Sequence, residues 1–272
     1  VDKYGKFFGW AFYNSRSIIA LRMFSREPTP PTDQDIRRRI SSAVALRQDV
    51  LQLDRQSDAY RLIHAEGDGL SGLIADKLGD YVVIELFSIA MFRRLHLIED
   101  ALVDAKLKIR KFIVRADKAV CRQEGFQLGR LDNNIKERER NHTIVENGVK
   151  FSIDLDHGHK TGFFCDQREN RLALTQFTPG KTVLDLCCYS GGFSCYAAKL
   201  GQAQQVTAVD LDENALVVAR QNAGINGVEI GFHHADAFDF LRTEAETKQQ
   251  WDVVVVDPSK FVSNRQMLDL GL

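Results

Sequence analysis

The sequence predicts an α/β protein: a doubly wound parallel sheet preceded by a small β domain and a small α+β domain. Three observations carry this reading. After Thr182 the chain alternates strand, glycine-rich turn, helix, strand, helix, strand, helix, strand, the rhythm of consecutive βαβ units. Before it, short apolar bursts separated by Gly-Asp and proline turns read as small antiparallel or mixed sheets. The 272 residues also exceed the roughly 100 to 200 of one domain. Hydrophobic residues at 44%, charged residues at 27% and only 5 Pro exclude collagenous, disordered and low-complexity classes.

The opening segments 9–14 and 17–25 run apolar on either side of a polar turn and are expected to be two strands, ended by Pro28, Pro30 and Pro31. Thr32 or Asp33 caps a helix whose apolar stripe is Ile36, Ile40, Val44, Leu46, Val50, Leu51 and Leu53. Arg37, Arg38 and Arg39 near its start fit phosphate contacts or, more simply, a solvated helix face. Segments 60–65, 72–75 and 81–87 are expected strands of a mixed sheet. A helix is predicted over 89–107, a strand over 111–115, a charged linker over 136–140 and a hairpin over 143–155, its Asn147-Gly148 suiting a type I′ turn. The four parallel strands are predicted at 183–186, 206–209, 230–233 and 253–256. Because only 15 residues follow Asp257, that sheet is expected to be incomplete at its C-terminal side.

Charge divides unevenly: residues 1–160 carry 27 Lys/Arg against 23 Asp/Glu, whereas residues 161–272 carry 9 against 14. Any anionic partner is therefore expected on the first part, although the excess is small beside that of a dedicated nucleic-acid binder. Cys121, Cys165, Cys187, Cys188 and Cys195 lack metal-ligand spacing and read as reduced thiols of a cytoplasmic protein. His157, His159, His233 and His234 have no partner spaced to build a metal site, so none is expected. No apolar run approaches the roughly 18 residues a bilayer span requires, and Val1 to Gly5 shows no signal-peptide pattern, so neither membrane association nor export is expected.

The chemistry is concentrated after the first predicted parallel strand. Asp185 is followed by Cys187-Cys188-Tyr189-Ser190-Gly191-Gly192, where two residues without Cβ let the backbone turn tightly or approach a ligand. Asp210 lies 25 residues later at the end of the second strand, where a carboxylate accepts hydrogen bonds from both ribose hydroxyls of a nucleoside. Asp236 ends the third strand and Asp257 the fourth. Four acidic side chains are thus expected around the crevice where open α/β sheets bind ligands. The turn is not Gly-x-Gly-x-x-Gly, and Asp185 would repel a pyrophosphate. A cationic cofactor bearing one adenosine fits better, and S-adenosylmethionine meets that description.

Residues 158–171 (beginning Gly158-His159-Lys160-Thr161-Gly162-Phe163), 183–193, 209–212 and 257–261 together resemble the bacterial large-subunit rRNA cytosine-C5 methyltransferases. The likeness spans nearly the whole chain, since 60–73 is similar to that family's central domain and the opening strands to the end of its PUA-like domain. The resemblance implies a partial PUA-like RNA-binding domain and linker helix at 1–55, a central α+β domain at 56–142 and a Rossmann-like class I methyltransferase domain at 143–272. It further implies that Asp185, Gly191 and Gly192 hold the methionine end of S-adenosylmethionine, that Asp210 holds its ribose, that Asp236 and Ala237 border the adenine, and that Tyr189, Ser190, Leu211 and Asp257 also contribute to the cofactor site. Lys160, Phe163, Gln167 and Arg168 lie on the approach to the cofactor, and Lys160 and Arg168 equally suit RNA phosphate.

Asp257, Pro258 and Lys260 stand where the family positions the target base, with Ser259 in place of a second proline. Reaction at a ring carbon requires that base to leave its stack. Methylating cytosine carbon 5 needs a thiolate at carbon 6. The family's nucleophile lies in a Ser-Cys-Ser type segment beyond this chain's last strand, and the role passes to none of the five cysteines here. The implied activity is transfer of a methyl group to rRNA. A guanine acceptor and a cofactor- and RNA-binding module without catalysis stay open, as do monomer and homodimer. The aromatics Phe7, Phe8, Trp10, Phe12 and Tyr13 fit base stacking, although strand alternation makes half of them core.

Overall fold

The computed structural model describes residues 1, 4–131, 135, 141–156 and 163–258. The predicted linker 136–140, together with His157, His159, Lys160, Thr161, Ser259 and Lys260, lies outside the described residues. The chain divides into two compact units, one formed by Val1–Val145 and Ile153–Asp166, the other by Glu146–Ser152 and Gln167–Leu272.

In the first unit, β1 (Trp10–Tyr13) and β2 (Leu21–Ser25) pair antiparallel, as the opening segments predict. Phe12 packs edge-on against Phe24, whereas Phe7, Phe8 and Tyr13 are exposed. Helix α1 (Asp33–Ala45) starts at Thr32 with a reciprocal cap: the Thr32 N–H donates to Asp35 Oδ2 at 2.7 Å while the Asp35 N–H donates to the Thr32 carbonyl. Its buried stripe is Ile36, Ile40, Ala43 and Val44. The α geometry ends eight residues before the predicted Leu53: a π-type turn, Leu46–Val50, follows, and Gln52 at φ 51° closes it. Arg47, bidentate to Asp68 at 2.7 and 2.9 Å, fixes this turn. The arginine triplet is held within the protein. Arg37 pairs with Asp100 and Asp104, Arg38 with Asp35, and Arg39 donates to the Gly69 and Phe24 carbonyls.

Strands β3 (Ala59–His64), β4 (Leu73–Leu78), β5 (Tyr81–Leu86) and β6 (Lys111–Arg115) form a sheet in that order, with β5 and β6 parallel and the other pairs antiparallel, which is the predicted mixed sheet. The single helix predicted over 89–107 is two. Helix α2 (Ile89–Phe92) is capped by Ser88, and α3 (Leu95–Asp104) begins after a break at Arg93–Arg94. The Arg94 guanidinium donates to the Ala90 carbonyl at 3.1 Å and its N–H to Met91 O, closing α2 early. Helix α4 (Lys118–Glu124) was not predicted, although Asp117 at its N-cap and Gly125 at φ 82° after its end are the usual start and stop signals. A single apolar core, from Phe24 and α1 through the sheet to Leu128, joins residues on both sides of position 55.

Strands β7 (Asn141–Glu146) and β8 (Val149–Asp154) make the predicted hairpin, with Asn147 and Gly148 both at positive φ. Its tip belongs to the second unit, whose framework is α5 (Arg168–Leu174), β9 (Thr182–Leu186), α6 (Gly192–Lys199), β10 (Gln205–Asp210), α7 (Glu213–Asn226), β11 (Gly231–His234), α8 (Ala237–Thr247) and β12 (Val253–Val256). The sheet is parallel throughout, in the order β11-β10-β9-β12. Val183 and Val206 pack with Ala197 on one face, and Leu184, Leu186 and Val209 with Phe240 on the other, the two-sided burial of a doubly wound sheet. β11 begins one residue later than predicted, and the half-buried Ile230 before it packs against the Val183 and Ala208 clusters. Among the described residues β12 is an edge, with Val254 and Val256 exposed. No helix among them is long and apolar enough to cross a membrane.

The second unit is locked by a buried ion pair. Arg171 on α5 donates Nε and Nη2 to the two carboxylate oxygens of Glu146 at 2.8 and 3.0 Å, and Tyr196 on α6 donates its hydroxyl to Glu146 Oε1 at 2.9 Å. All three side chains are buried. Burial holds the Glu146 carboxyl above its ordinary value, and Arg171 and the Tyr196 hydroxyl offset only part of that rise. Replacing Arg171 alone by Met leaves a buried carboxylate unpaired and is expected to destabilise the protein by about 3–5 kcal/mol. The double change Glu146→Leu with Arg171→Met is expected to recover most of that loss, as read from urea midpoints of the three proteins.

Candidate functional site

The strand order creates the site. β10 and β11 are added on one side of β9, after which the chain crosses back to place β12 on the other side. The C-terminal ends of β9 and β12 therefore flank a topological switch point, where open α/β sheets leave a crevice. Asp185 is the fourth residue of β9, and Asp257 directly follows β12. Asp210 ends β10. Asp236 does not end its strand, contrary to the sequence expectation. It lies two residues beyond β11 and caps α8, its Oδ1 accepting from the Phe238 and Asp239 N–H groups at 2.9 and 3.2 Å.

The turn from β9 to α6 is unusually bent. Cys187, Tyr189 and Gly191 have φ values of 59°, 48° and 75°, so two side-chain-bearing residues occupy the left-handed region within five positions. Three contacts hold this geometry. Asp210 Oδ2 accepts from the Tyr189 N–H at 2.7 Å, the Cys188 N–H donates to the Val209 carbonyl, and Asn222 Nδ2 on α7 donates to the Ser190 carbonyl at 2.9 Å. The bare faces of the glycines are turned to protein: a Cβ on Gly191 would lie 3.2 Å from the Ala219 Cβ, and one on Gly192 would lie 3.3 Å from the Arg171 Cδ. Close helix packing and a positive φ thus account for Gly191, alongside the ligand approach read from the sequence.

Asp185 is fully buried. Its Oδ2 accepts from the Ser194 N–H at 3.0 Å and the Ser194 hydroxyl at 2.5 Å, whereas its Oδ1 is buried without a hydrogen-bond partner among the described residues. Burial, and then the neighbouring Asp210 and Asp257 carboxylates, push its carboxyl up to about 7. The same surroundings raise the Cys187, Cys188 and Cys195 thiols, burial first in each case. A concentration of negative charge with one unanswered buried oxygen favours a cationic ligand.

Two predicted residues 90 positions apart meet. Gln167, at the start of α5, donates Nε2 to Asp257 Oδ2 at 2.9 Å and accepts from Asn170 at 2.7 Å. Arg168 beside it pairs with Glu169. Leu211 is exposed and its carbonyl lies 2.9 Å from His234 Nε2. Tyr189, Ser190, Ala237 and Pro258 are half-buried, and Phe163 is buried in the first unit. Sequence reasoning missed Asn222, Glu146, Arg171 and Tyr196. Asn222 is entirely buried on the Ala219–Ala223 face of α7, and its Oδ1 also accepts from the Ser152 N–H at 2.7 Å. A polar residue on an apolar helix stripe was the available signal.

Residues 116–269, more than half of the chain, match the S-adenosylmethionine-dependent methyltransferase family. The chain belongs to that family. It is 37% identical over 279 residues to the ribosomal RNA large subunit methyltransferase I of Vibrio cholerae, covering 99% of this chain and 69% of that protein. It is 35% identical over 273 residues to the protein of the same name from Escherichia coli K12, covering 98% and 68%. Among solved structures, a Streptococcus mutans protein described as a SAM-dependent methyltransferase superposes with a TM-score of 0.77 at 22% identity, over 93% of this chain and 65% of that one. A methyltransferase complexed with SAH gives 0.80 at 22%, over 95% and 66%. These two likenesses establish the α/β methyltransferase fold, and the chain spans about two thirds of the length of each of these proteins. The cofactor of the family, S-adenosylmethionine, carries a sulfonium and an ammonium group. The unpaired buried oxygen of Asp185 and the acidic crevice fit those charges.

Without cofactor the charge on Asp185 opposes folding. The unfolded chain releases this proton near the ordinary value of 3.8 and the folded chain near 7, so stability falls as pH rises between these values and stays reduced above them. Asp185→Asn keeps the contact with Ser194 and removes the buried charge. The cofactor-free variant is expected to be more stable than the parent by about 1–3 kcal/mol at pH 8 and nearly equal to it at pH 4. Thermal unfolding at the two pH values measures this.

Proposed function

We propose that this chain transfers the methyl group of S-adenosylmethionine to a base of large-subunit rRNA, the acceptor atom being carbon 5 of a cytosine. The observation that carries the reading is the pair of carboxylates at the switch point, buried Asp185 on β9 and exposed Asp257 after β12, with Gln167 bonded to the latter. The names of the relatives supply the rRNA acceptor.

In this reading Asp185 answers the positive charge at the methionine end, with Tyr189, Ser190, Gly191 and Gly192 forming the wall of that end. Each oxygen of Asp210 accepts one backbone N–H, from Tyr189 and Asp212, which leaves lone pairs on both for the ribose hydroxyls beside Leu211. Asp236 and Ala237, at the start of α8, border the adenine. Lys160, Phe163, Gln167 and Arg168 belong to the approach. When bound, the cofactor supplies an electrophilic methyl group on sulfur. Asp257, Pro258 and Lys260 hold a flipped-out base, the carboxylate accepting from an exocyclic amino group while Gln167 fixes its orientation. The nucleophile that cytosine chemistry needs is assigned to none of the five cysteines: the resemblance puts it in a segment beyond β12, and burial raises the Cys187, Cys188 and Cys195 thiols, which disfavours their thiolates. Residues 1–55, as part of a PUA-like domain, and the central segment 56–142 present the RNA.

Two experiments test the reading. Because the cofactor's charge requires Asp185 ionised, S-adenosylmethionine is expected to bind about tenfold more tightly at pH 8 than at pH 6, and the Asp185→Asn variant to bind weakly at both. Calorimetric affinities independent of pH in the parent would remove Asp185 from the cofactor site. With large-subunit rRNA transcribed in vitro, labelled cofactor and a protein that includes the family's Ser-Cys-Ser type segment, nucleoside digestion is expected to give 5-methylcytidine, reduced at least a hundredfold by Asp257→Ala. Methylguanosine instead would reassign the acceptor, and cofactor binding without transfer to any RNA would reduce the chain to a binding module.

A further inference from the structure

A second cationic feature lies in the first unit, within a segment the cofactor chemistry does not use. Residues 105–130 contain eight lysines and arginines against two carboxylates, and both carboxylates are already engaged. Asp117 caps α4 by accepting from the Ala119 and Val120 N–H groups. Glu124 is buried and takes hydrogen bonds from Asn14, Ser17, Arg22 and the Ile89 N–H. The positive charge of Lys118 and Arg122 on α4 is therefore answered by neither carboxylate.

It gathers at one place. A surface cleft of about 880 Å³ is lined by Arg16, Lys118, Arg122, Phe126 and Gln127 together with the loop glycines Gly125 and Gly129, and among the described residues no acidic side chain contributes to its wall. Arg16, from the β1–β2 turn, lies over Gly125, where a Cβ would come within 3.1–3.2 Å of its side chain. The glycine at φ 82° thus both ends α4 and makes room for the guanidinium. Among the described residues none of Arg16, Lys118 and Arg122 forms an ion pair, in contrast to Arg22, Arg37, Arg38 and Arg47 of the same unit. Lys118 and Arg122 are four residues apart on α4, so their Cβ atoms sit roughly 5–6 Å from each other on one face. That separation suits successive phosphates of one strand. Among the described residues of the wall the one aromatic ring, Phe126, is buried and stacked on Phe92, so these residues offer charge rather than a platform for a base.

We propose that this cleft is a sequence-independent docking site for the sugar-phosphate backbone of the RNA substrate, held by Arg16, Lys118 and Arg122. The inference rests on the reading of this chain as an RNA methyltransferase. Unpaired cations contacting three phosphates release counterions on binding, so the site adds affinity that falls steeply with salt.

The test uses the full chain and a large-subunit rRNA fragment. The triple variant Arg16→Gln, Lys118→Gln, Arg122→Gln is compared with a charge-matched control, Arg38→Gln, Arg55→Gln, Arg242→Gln, and S-adenosylmethionine affinity serves in each as the check on folding. The cleft variant is expected to bind the fragment about 10- to 100-fold more weakly at low salt, with the slope of log affinity against log salt reduced by about 2–3, while the control changes less than threefold. Because the lost contacts are to phosphate, the loss is expected to be equal for fragments of unrelated sequence. An unchanged slope in a folded cleft variant, or an equal loss in the control, would overturn the proposal. If the parent protein binds cofactor but no RNA, the methyltransferase reading itself fails. If an acidic peptide competes with the fragment as well as RNA of equal charge does, the cleft belongs to a protein partner.

Discussion

The buried pair of Arg171 and Glu146 is the constraint on which the geometry of the second unit rests. It ties the hairpin tip to α5 and, through the Tyr196 hydroxyl, to α6. Neither charge tolerates the interior alone, so each element is held in the one position where both are answered. The same arginine lays its aliphatic stem against Gly192, at the first turn of α6. The helix that carries Gln167 and the loop that follows Asp185 thus share a single anchor, and the bond from Gln167 to Asp257 follows from it.

A second constraint opposes the first. Three carboxylates converge at the strand ends, and Asp185 among them is buried with one oxygen unanswered. Interior packing alone would select against such an arrangement, as it would against two side-chain-bearing residues in the left-handed region of one short turn. Strain and unpaired charge are thus collected at one end of an otherwise regular sheet.

Much of this was legible in the sequence because it depends on local patterns. The βαβ rhythm, the acidic residue in the first parallel strand and the Asn147-Gly148 turn each follow from a few neighbouring residues. The breaks were harder to see. The helix over 89–107 is divided by a side chain of Arg94 bonding its own preceding turn, and α4 is short enough for its caps, Asp117 and Gly125, to be its main signal. Asp236 read as a strand end and serves as a helix cap, since both positions favour the same residue and differ by only two places. Asn222, Glu146 and Arg171 were invisible for another reason. Their partners are 25 to 70 residues away, and no local pattern says that a polar side chain will be buried against a distant one.

The interleaving of the two units bears on how such a chain can be divided. The path runs through the first unit to Val145, enters the second for Glu146–Ser152, returns to the first until Asp166, and only then completes the second. No single cut yields both units whole. A fragment beginning at Gln167 would retain the four described strands of the parallel sheet yet lack Glu146, leaving Arg171 without its carboxylate partner. Dissecting the gene at the apparent domain border therefore costs the second unit its buried ion pair.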